Sequence, residues 1–181
     1  MKNIVEQLSR YKSVHLNKKN IQTHFVGVPL IILAVTFLLS LLSFELNFEL
    51  NNTTFVIPLT FAMILYALVA LYYFMLDKLL AMGMVVYMIV NLVVADFFAN
   101  AEHLFFIAIA LFILGWIIQF VGHHFEKAKP AFVDDLSQFA IGPLFLMAET
   151  YFALGFHHVL KEEITPLAIQ KRRELATKLA E

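Results

Sequence analysis

Two groups of polar residues border long apolar stretches of the chain, and both contain side chains that bind metal ions. One group precedes the first apolar stretch, and the other follows the fourth. Their members are His15, Asn17, Asn20 and His24 in the first group, and Gly122, His123, His124 and Glu126 in the second. Imidazoles and carboxylates suit Fe(II) or Zn(II), and two histidines with one carboxylate are typical of oxygen-activating iron. The candidate metal ligands and catalytic residues are His15, His24, His123 and Glu126.

The spacing within each group limits how these side chains can meet. His123 and Glu126 are three residues apart, so they share one face if this segment is helical. His15 and His24 are nine residues apart, a separation that fits a whole number of helical turns poorly. A bend between them is therefore needed if both bind one ion.

Three neighbouring polar residues are candidate contacts for a substrate, namely Asn20, Lys19 and Lys127. Either lysine can attract a carboxylate, and the alternative for both is a contact with lipid headgroups at the membrane surface. His124 is adjacent to His123 and points elsewhere in a helix, so only one of the two is expected to bind the ion.

The composition indicates an integral membrane protein. The chain has 181 residues, of which 61% are hydrophobic and only 15% are charged, and it contains 19 phenylalanines. There is no cysteine, which excludes disulfides, thiolate metal sites and a cysteine nucleophile. The net charge of -1 gives no sign of a nucleic-acid partner. We expect one membrane domain over residues 1–181, without a cleaved secretory signal because the first 24 residues are polar.

The apolar stretches predict an all-α, polytopic membrane helix bundle that positions the two polar groups. Four stretches approach the length of about 20 residues that a crossing requires. These predicted spans are residues 25–44, 55–76, 79–99 and 104–121. A fifth stretch, residues 136–156, is interrupted at Gly142-Pro143, and it is either a re-entrant hairpin, which we favour, or a fifth crossing. We find no period-2 alternation, which disfavours a barrel.

The basic residues predict the orientation of the bundle. With four crossings, every lysine and arginine falls on one side of the membrane, which is then the cytosolic side. Residues 1–24 form a cytoplasmic segment, and residues 159–181 form a cytoplasmic tail with a helix on the membrane surface. Both histidine groups then lie at the cytosolic interface. A four-helix bundle can bring them into contact there.

Other polar side chains have less specific interpretations. Glu149 lies inside the fifth stretch, where it is expected to pair with a basic group or to hydrogen-bond a metal-binding histidine. Asp134 and Asp135 are candidates to cap the following helix. His103 is expected in a loop on the opposite side of the membrane.

The polar groups also resemble two signatures of a known family. His15-x-Asn17-x-x-Asn20-x-x-x-His24 followed by Pro29 resembles the opening of the membrane-bound 2-hydroxy-fatty-acid dioxygenases. The stretch from Gly115 to His123 resembles the second signature, which continues through Glu126-Lys127, Pro130-Ala131 and Asp134. The resemblance extends from about Tyr11 to Phe156, and its Gly-His register favours His123 over His124.

This resemblance implies an activity, a cofactor and a location. Members of the family perform Fe2+-dependent α-oxidation, in which a 2-hydroxy fatty acid reacts with O2, loses CO2 and becomes one carbon shorter. Fungal members lie in the endoplasmic reticulum and serve phytosphingosine breakdown, and bacterial members lie in the cytoplasmic membrane. The family's metal-binding histidines match His15, His24 and His123, with Glu126 as a matched carboxylate.

Two other classes of function stay open from the sequence. One is a different membrane metalloenzyme, either a zinc hydrolase or a lipid hydroxylase, although the histidines here do not form the close boxes of lipid desaturases. The other is a non-enzymatic transporter or scaffold. The absence of charged residues deep in the first four stretches disfavours an ion path. The oligomeric state is not predicted.

Overall fold

Helices account for most of the chain, and one two-stranded hairpin interrupts them. The structure is a computed structural model that describes residues 3–50, 53–126, 135 and 137–178. The elements, in chain order, are α1 (Ile4–Ser13), α2 (Lys18–Ser40), β1 (Ser43–Leu50), β2 (Thr53–Thr60), α3 (Phe61–Leu76), α4 (Lys78–Phe97), α5 (Leu104–Glu126), α6 (Gln138–Ala153) and α7 (His158–Lys178).

Three helices in the described ranges, α2, α4 and α5, are long and apolar enough to cross a membrane. The fourth predicted crossing, residues 55–76, is divided between two elements. Residues 55–60 belong to β2, and the helix α3 that follows has 16 residues. A helix of that length extends about 24 Å, which is less than the hydrocarbon thickness of about 30 Å. Four crossings are therefore not confirmed, whereas a membrane location is compatible with the three long helices.

The hairpin corrects two predictions from the sequence. The chain is not all-α, and period-2 alternation is present in β1, whose sequence reads SFELNFEL. In the antiparallel register Phe48 pairs with Phe55 and Leu46 pairs with Ile57, so these apolar side chains occupy one face. The hairpin was not predicted because most of β1 lies between the first two apolar stretches, and because the apolar residues of β2 run without a break into those of α3. The combined stretch therefore has the composition of one long helix.

Three glycines allow α2 and α5 to pack closely together. A Cβ atom at Gly27 would lie 2.9 Å from the Gly115 carbonyl oxygen, and one at Gly115 would lie 2.9 Å from the Gly27 carbonyl oxygen. Seven residues further along α5, a Cβ atom at Gly122 would lie 2.0 Å from Oγ1 of Thr23. Small residues at helix contacts allow backbones to approach in membrane proteins. This contact determines which side chains of the two helices face each other.

Helix α6 is continuous through Gly142-Pro143, so the predicted break at this dipeptide is wrong. It lies in the core, where Ile141, Leu144 and Phe145 are completely buried. Surrounding protein is the condition under which proline is tolerated inside a membrane-embedded helix. At 16 residues, α6 is short for a crossing, and the re-entrant arrangement is not confirmed.

The chain ends in helix α7, which packs against α1. Leu160, Ile164 and Ala168 are buried on α7, and Leu8 is buried on α1. The predicted tail is thus helical, and its position on a membrane surface stays a prediction. The packing places the two most polar helices next to each other, beside the segment that contains His15.

Candidate metal centre

Three histidines from separate elements meet in the interior. His15 lies between α1 and α2, His24 lies in the second turn of α2, and His123 lies near the end of α5. All three side chains are buried, and one ligand atom of each lies within 4.8 Å of the other two. The ring centroids are 4.5, 4.9 and 5.0 Å apart. The structure therefore brings together imidazoles separated by most of the chain.

A bend in the backbone lets His15 reach His24. Helix α1 ends at Ser13, and α2 begins after Asn17, whose side-chain oxygen accepts a hydrogen bond from the Lys19 amide at 2.9 Å. Asparagine is a preferred residue at this capping position. The bend that the spacing requires is thus present, and the Asn17 cap defines where α2 begins.

Two backbone carbonyls orient the imidazoles of His15 and His24. Nδ1 of His15 lies 2.7 Å from the Tyr11 carbonyl oxygen, and Nδ1 of His24 lies 2.8 Å from the Asn20 carbonyl oxygen. A carbonyl only accepts hydrogen bonds, so each Nδ1 carries the proton and each Nε2 of a neutral ring presents a lone pair. The two Nε2 atoms lie 3.0 Å apart. Two lone pairs at this distance repel each other unless a proton or a cation lies between them.

Burial favours a metal ion over a shared proton at this position. Desolvation, followed by the neighbouring His24 imidazole, lowers the pKa of His15 well below its usual value. His15 is therefore neutral at physiological pH, which is the state that binds a metal. The Tyr11 ring stacks on His15 with centroids 4.1 Å apart and planes within 1° of parallel, and it restrains the ring further.

Glu126 lies beside the centre, and its carboxylate holds the α1–α2 linker. Its oxygens accept hydrogen bonds from the Leu16 amide at 3.2 Å, the Asn17 amide at 2.8 Å and Nδ2 of Asn20 at 3.2 Å. The nearest guanidinium nitrogen of Arg172, on α7, is 3.8 Å away. The carboxylate is not part of the group of ligand atoms formed by the three histidines. This geometry positions His15, and metal binding by Glu126 stays a prediction.

Of the predicted substrate contacts, the two that the structure describes, Asn20 and Lys19, do not line the space next to the histidines. Asn20 is completely buried, and its Nδ2 donates to Glu126 and to the Val14 carbonyl. The ammonium group of Lys19 lies 5.2 Å from the centroid of the Phe125 ring. Lys127 falls outside the described residues. None of the three predicted contacts is tested by this arrangement.

Ion pairs connect α1 to the segment around α6. Lys12 pairs with Glu149, which is one of the two roles predicted for that glutamate. Arg10 donates to Asp135 at 2.7 Å, and the other oxygen of Asp135 accepts from the Ser137 amide at 3.0 Å. Asp135 is not the cap that the sequence predicted, because α6 begins after Ser137, which is its N-cap residue and makes no side-chain capping bond. Asp134 falls outside the described residues. These ion pairs fix the position of α1, and thereby the position of the linker that contains His15 and directly follows α1 in the chain.

The remaining histidines do not belong to the centre. His103 and His124 are exposed, and His157 lies 2.9 Å from a carboxylate oxygen of Asp77. Of the two adjacent histidines, His123 belongs to the cluster, whereas the side chain of His124 is exposed and points away from it.

A cavity of ≈ 90 Å³ opens next to the three histidines, and two glutamines that were not among the predicted site residues line it. Gln119 and Gln138 are buried, and neither Nε2 of Gln119 nor Oε1 of Gln138 has a hydrogen-bond partner among the described residues. Gln119 precedes His123 by four residues in an apolar helix, and this spacing on one face was the available signal. The cavity therefore combines three imidazoles with two amide groups available to a ligand.

Buried imidazoles within a bundle of apolar helices define a candidate membrane metalloprotein. The sequence model of the Mpo1-like family, described as 2-hydroxy-palmitic acid dioxygenase Mpo1-like, matches residues 1–154, and the chain belongs to this family. It is 32% identical over 171 residues to the 2-hydroxy-palmitic acid dioxygenase MPO1 of Saccharomyces cerevisiae, covering 93% of this chain and 91% of the yeast protein. The family resemblance inferred from the two signatures is thus confirmed. No solved structure matches the chain.

Proposed function

We propose that this protein is a membrane-bound, Fe(II)-dependent dioxygenase that performs α-oxidation of 2-hydroxy fatty acids. The observation that carries the proposal is the pair of Nε2 atoms of His15 and His24, which lie 3.0 Å apart beside His123 while a backbone carbonyl holds Nδ1 of each ring. The substrate class comes from the relative, which is named for 2-hydroxy-palmitic acid. In the reaction, R-CH(OH)-COOH and O2 give R-COOH, CO2 and H2O. The four electrons that reduce O2 come from the substrate, so no nicotinamide or flavin is required.

The donor set of the site fits the proposed ion. Three neutral imidazoles suit Fe(II), and with no protein carboxylate among them, coordination positions stay open for other ligands. A ferrous ion held there supplies the Lewis acidity and the oxygen activation that this reaction requires. His15, His24 and His123 are the proposed ligands. A ligand role for Glu126 would require its carboxylate to give up N–H donors that now hold the linker.

The protein's own groups prepare this site in three ways. The Tyr11 and Asn20 carbonyls hold the protons of His15 and His24 on Nδ1, which keeps Nε2 available. The free N–H of Gln119 is suited to a carboxylate oxygen, and the free oxygen of Gln138 is suited to the hydrogen of a 2-hydroxyl group. The apolar walls exclude water from the reacting atoms.

We further propose that the centre faces the cytosol, from the cytoplasmic membrane in a bacterium or from the endoplasmic reticulum in a eukaryote. The long apolar helices support a membrane location. Helices α1 and α7, which contain most of the described basic residues, lie at the same end of the molecule as the histidines. That arrangement agrees with the tendency of basic residues to stay on the cytosolic side.

The test is metal analysis and turnover with the same preparation. Full-length protein purified without oxygen should contain iron, and after addition of 2-hydroxypalmitate and O2 it should release CO2 and pentadecanoic acid. His123→Ala should lose both the iron and the product. The control, His103→Ala, removes an exposed histidine and should change neither. Stoichiometric zinc without CO2 release from any 2-hydroxy acid would reject the proposal.

A further inference from the structure

An apolar chamber of ≈ 310 Å³ lies between α2, α3, α4 and α6, next to the histidine cavity. Ile31, Ile32, Phe139 and Pro143 line both spaces, so the two are neighbours across shared walls. A smaller space of ≈ 150 Å³ adjoins both and shares Ile32 and Pro143 with them. The histidine cavity by itself is too small for a long acyl chain, and these spaces continue it towards the middle of the helices.

Residues of α2 show the direction in which these neighbouring spaces run. His24 and Val28 line the histidine cavity, Ile32 lines all of these spaces, and Val35 lines only the chamber. These residues follow one another at intervals of three or four, so they form one stripe on the helix. From His24 to Val35 the helix rises by about 16 Å. The stripe leads from the polar end of the molecule into its apolar part.

The chamber wall suits a hydrocarbon. Its lining contains no charged residue. The hydroxyl of Tyr73 donates to the Ala140 carbonyl at 2.5 Å, and the hydroxyl of Tyr66 bonds to Thr36. Because these two hydroxyl groups have partners within the protein, the rings contribute apolar surface. Met84 and Met88 add flexible thioether side chains, which adapt to ligands of varied shape.

We propose that this chamber holds the acyl chain of the substrate, and that the wall formed by Val69 of α3 and Met88 of α4 sets the preferred chain length. Both residues line the chamber and neither lines the histidine cavity. The inference rests on the proposed function for the identity of the acid group at the other end. A 2-hydroxy acid bound in this way places its reactive carbon beside the histidines and its methyl end between α3 and α4.

The first test maps the bound chain and needs no turnover. The unmodified full-length protein is irradiated with 2-hydroxypalmitate analogues that carry a diazirine either near the carboxyl group or near the methyl end. Adducts from the methyl-end probe are expected around Val69 and Met88, and those from the other probe around Val28 and Ile32. Excess unlabelled 2-hydroxypalmitate should suppress both. Adducts confined to lipid-facing residues such as Leu68, which is 61% exposed, would overturn the chamber assignment.

The second test changes the chamber volume. Val69→Phe or Met88→Phe should lower the kcat/KM ratio of 2-hydroxypalmitate to 2-hydroxyoctanoate by about 10-fold or more, because the longer chain needs the lost space. Leu68→Phe and Ile89→Phe are matched controls on outward-facing neighbours and should leave the ratio unchanged. An unchanged ratio in both chamber variants, with normal thermal stability, rejects the length limit. If no 2-hydroxy acid reacts with the unmodified protein, the proposed function fails. The positions of the adducts still show whether the acyl chain binds in the chamber.

Discussion

The two ends of α2 differ in how the chain uses its residues. At the amino end, buried polar side chains from α1, α2 and α5 form a dense network of hydrogen bonds around three imidazoles. At the carboxyl end, the chain continues into a hairpin whose strand β1 is exposed along its whole length. The amino end is restrained by partners distant in sequence, whereas β1, beyond the carboxyl end, pairs with its neighbouring strand β2. Within α2 itself, Phe37 near the carboxyl end still packs against Ala95 and Leu104. We expect chemistry and stability to depend on the first end far more than on the second.

Removing the ammonium group of Lys12 should have the largest effect on stability. Lys12→Met leaves Glu149 without its partner in a largely buried position, and this is expected to destabilise the protein by about 3 kcal/mol. Thermal unfolding in detergent measures the loss. The double variant Lys12→Met with Glu149→Met should recover much of it, because no unpaired charge is left. Equal stability of the single and double variants would contradict a paired interaction.

A methyl group at Gly115 should weaken the contact between α2 and α5. The new Cβ atom would lie 2.9 Å from the Gly27 carbonyl oxygen, and overpacking of this kind costs about 1–3 kcal/mol. Iron content should fall together with the melting temperature, since this contact aligns His24 with His123.

Gly83→Ala is the matched control, because its new Cβ would meet the ends of the Tyr151 and Met147 side chains, which can move. A larger loss at Gly83 than at Gly115 would contradict the special role of the α2–α5 contact.

Neutralising Glu126 should weaken metal binding without unfolding the protein. Glu126→Gln keeps the shape of the side chain but loses the charge that holds the linker amides, and such supporting groups typically change metal affinity by about 10–100-fold. Competition with a chelator measures the affinity, and thermal unfolding serves as the independent readout. Glu102→Gln, at a side chain that is 88% exposed, should leave the affinity unchanged.

The smallest effect is expected at the hairpin. Phe48→Ala removes a ring stacked on Phe55 at 5.3 Å, but Phe48 is 47% exposed. The melting temperature and the iron content should both stay close to their original values, because surface substitutions usually change stability by less than about 0.5 kcal/mol. A loss comparable to that of Gly115→Ala would show that the hairpin contributes to the packed end.

The sequence alone was enough for the features that depend on local composition and spacing. The apolar runs predict that α2, α4 and α5 exist and where their centres lie, because the hydrophobicity of a helix is a property of its own residues. The bounds agree closely for α4 and for the start of α5, whereas α2 begins at Lys18, before its apolar run, and α5 continues beyond its run to Glu126. The spacing of His15 and His24 predicts the bend between α1 and α2, since one helix cannot place both at one point. The two signatures predict the family.

Only the tertiary structure decided how the side chains of separate elements meet. Three contacts depend on how closely and at what rotation α2 and α5 pack. Nε2 of His15 faces Nε2 of His24, Glu126 faces the linker amides, and Gln119 lines the cavity. That packing is controlled by Gly27, Gly115 and Gly122, which are distant in sequence. The hairpin was missed for a related reason, because a short alternating pattern becomes a strand only when a partner strand satisfies its backbone groups. Local pattern indicated candidate metal ligands such as His15, His24 and His123, and long-range packing determined that these three meet.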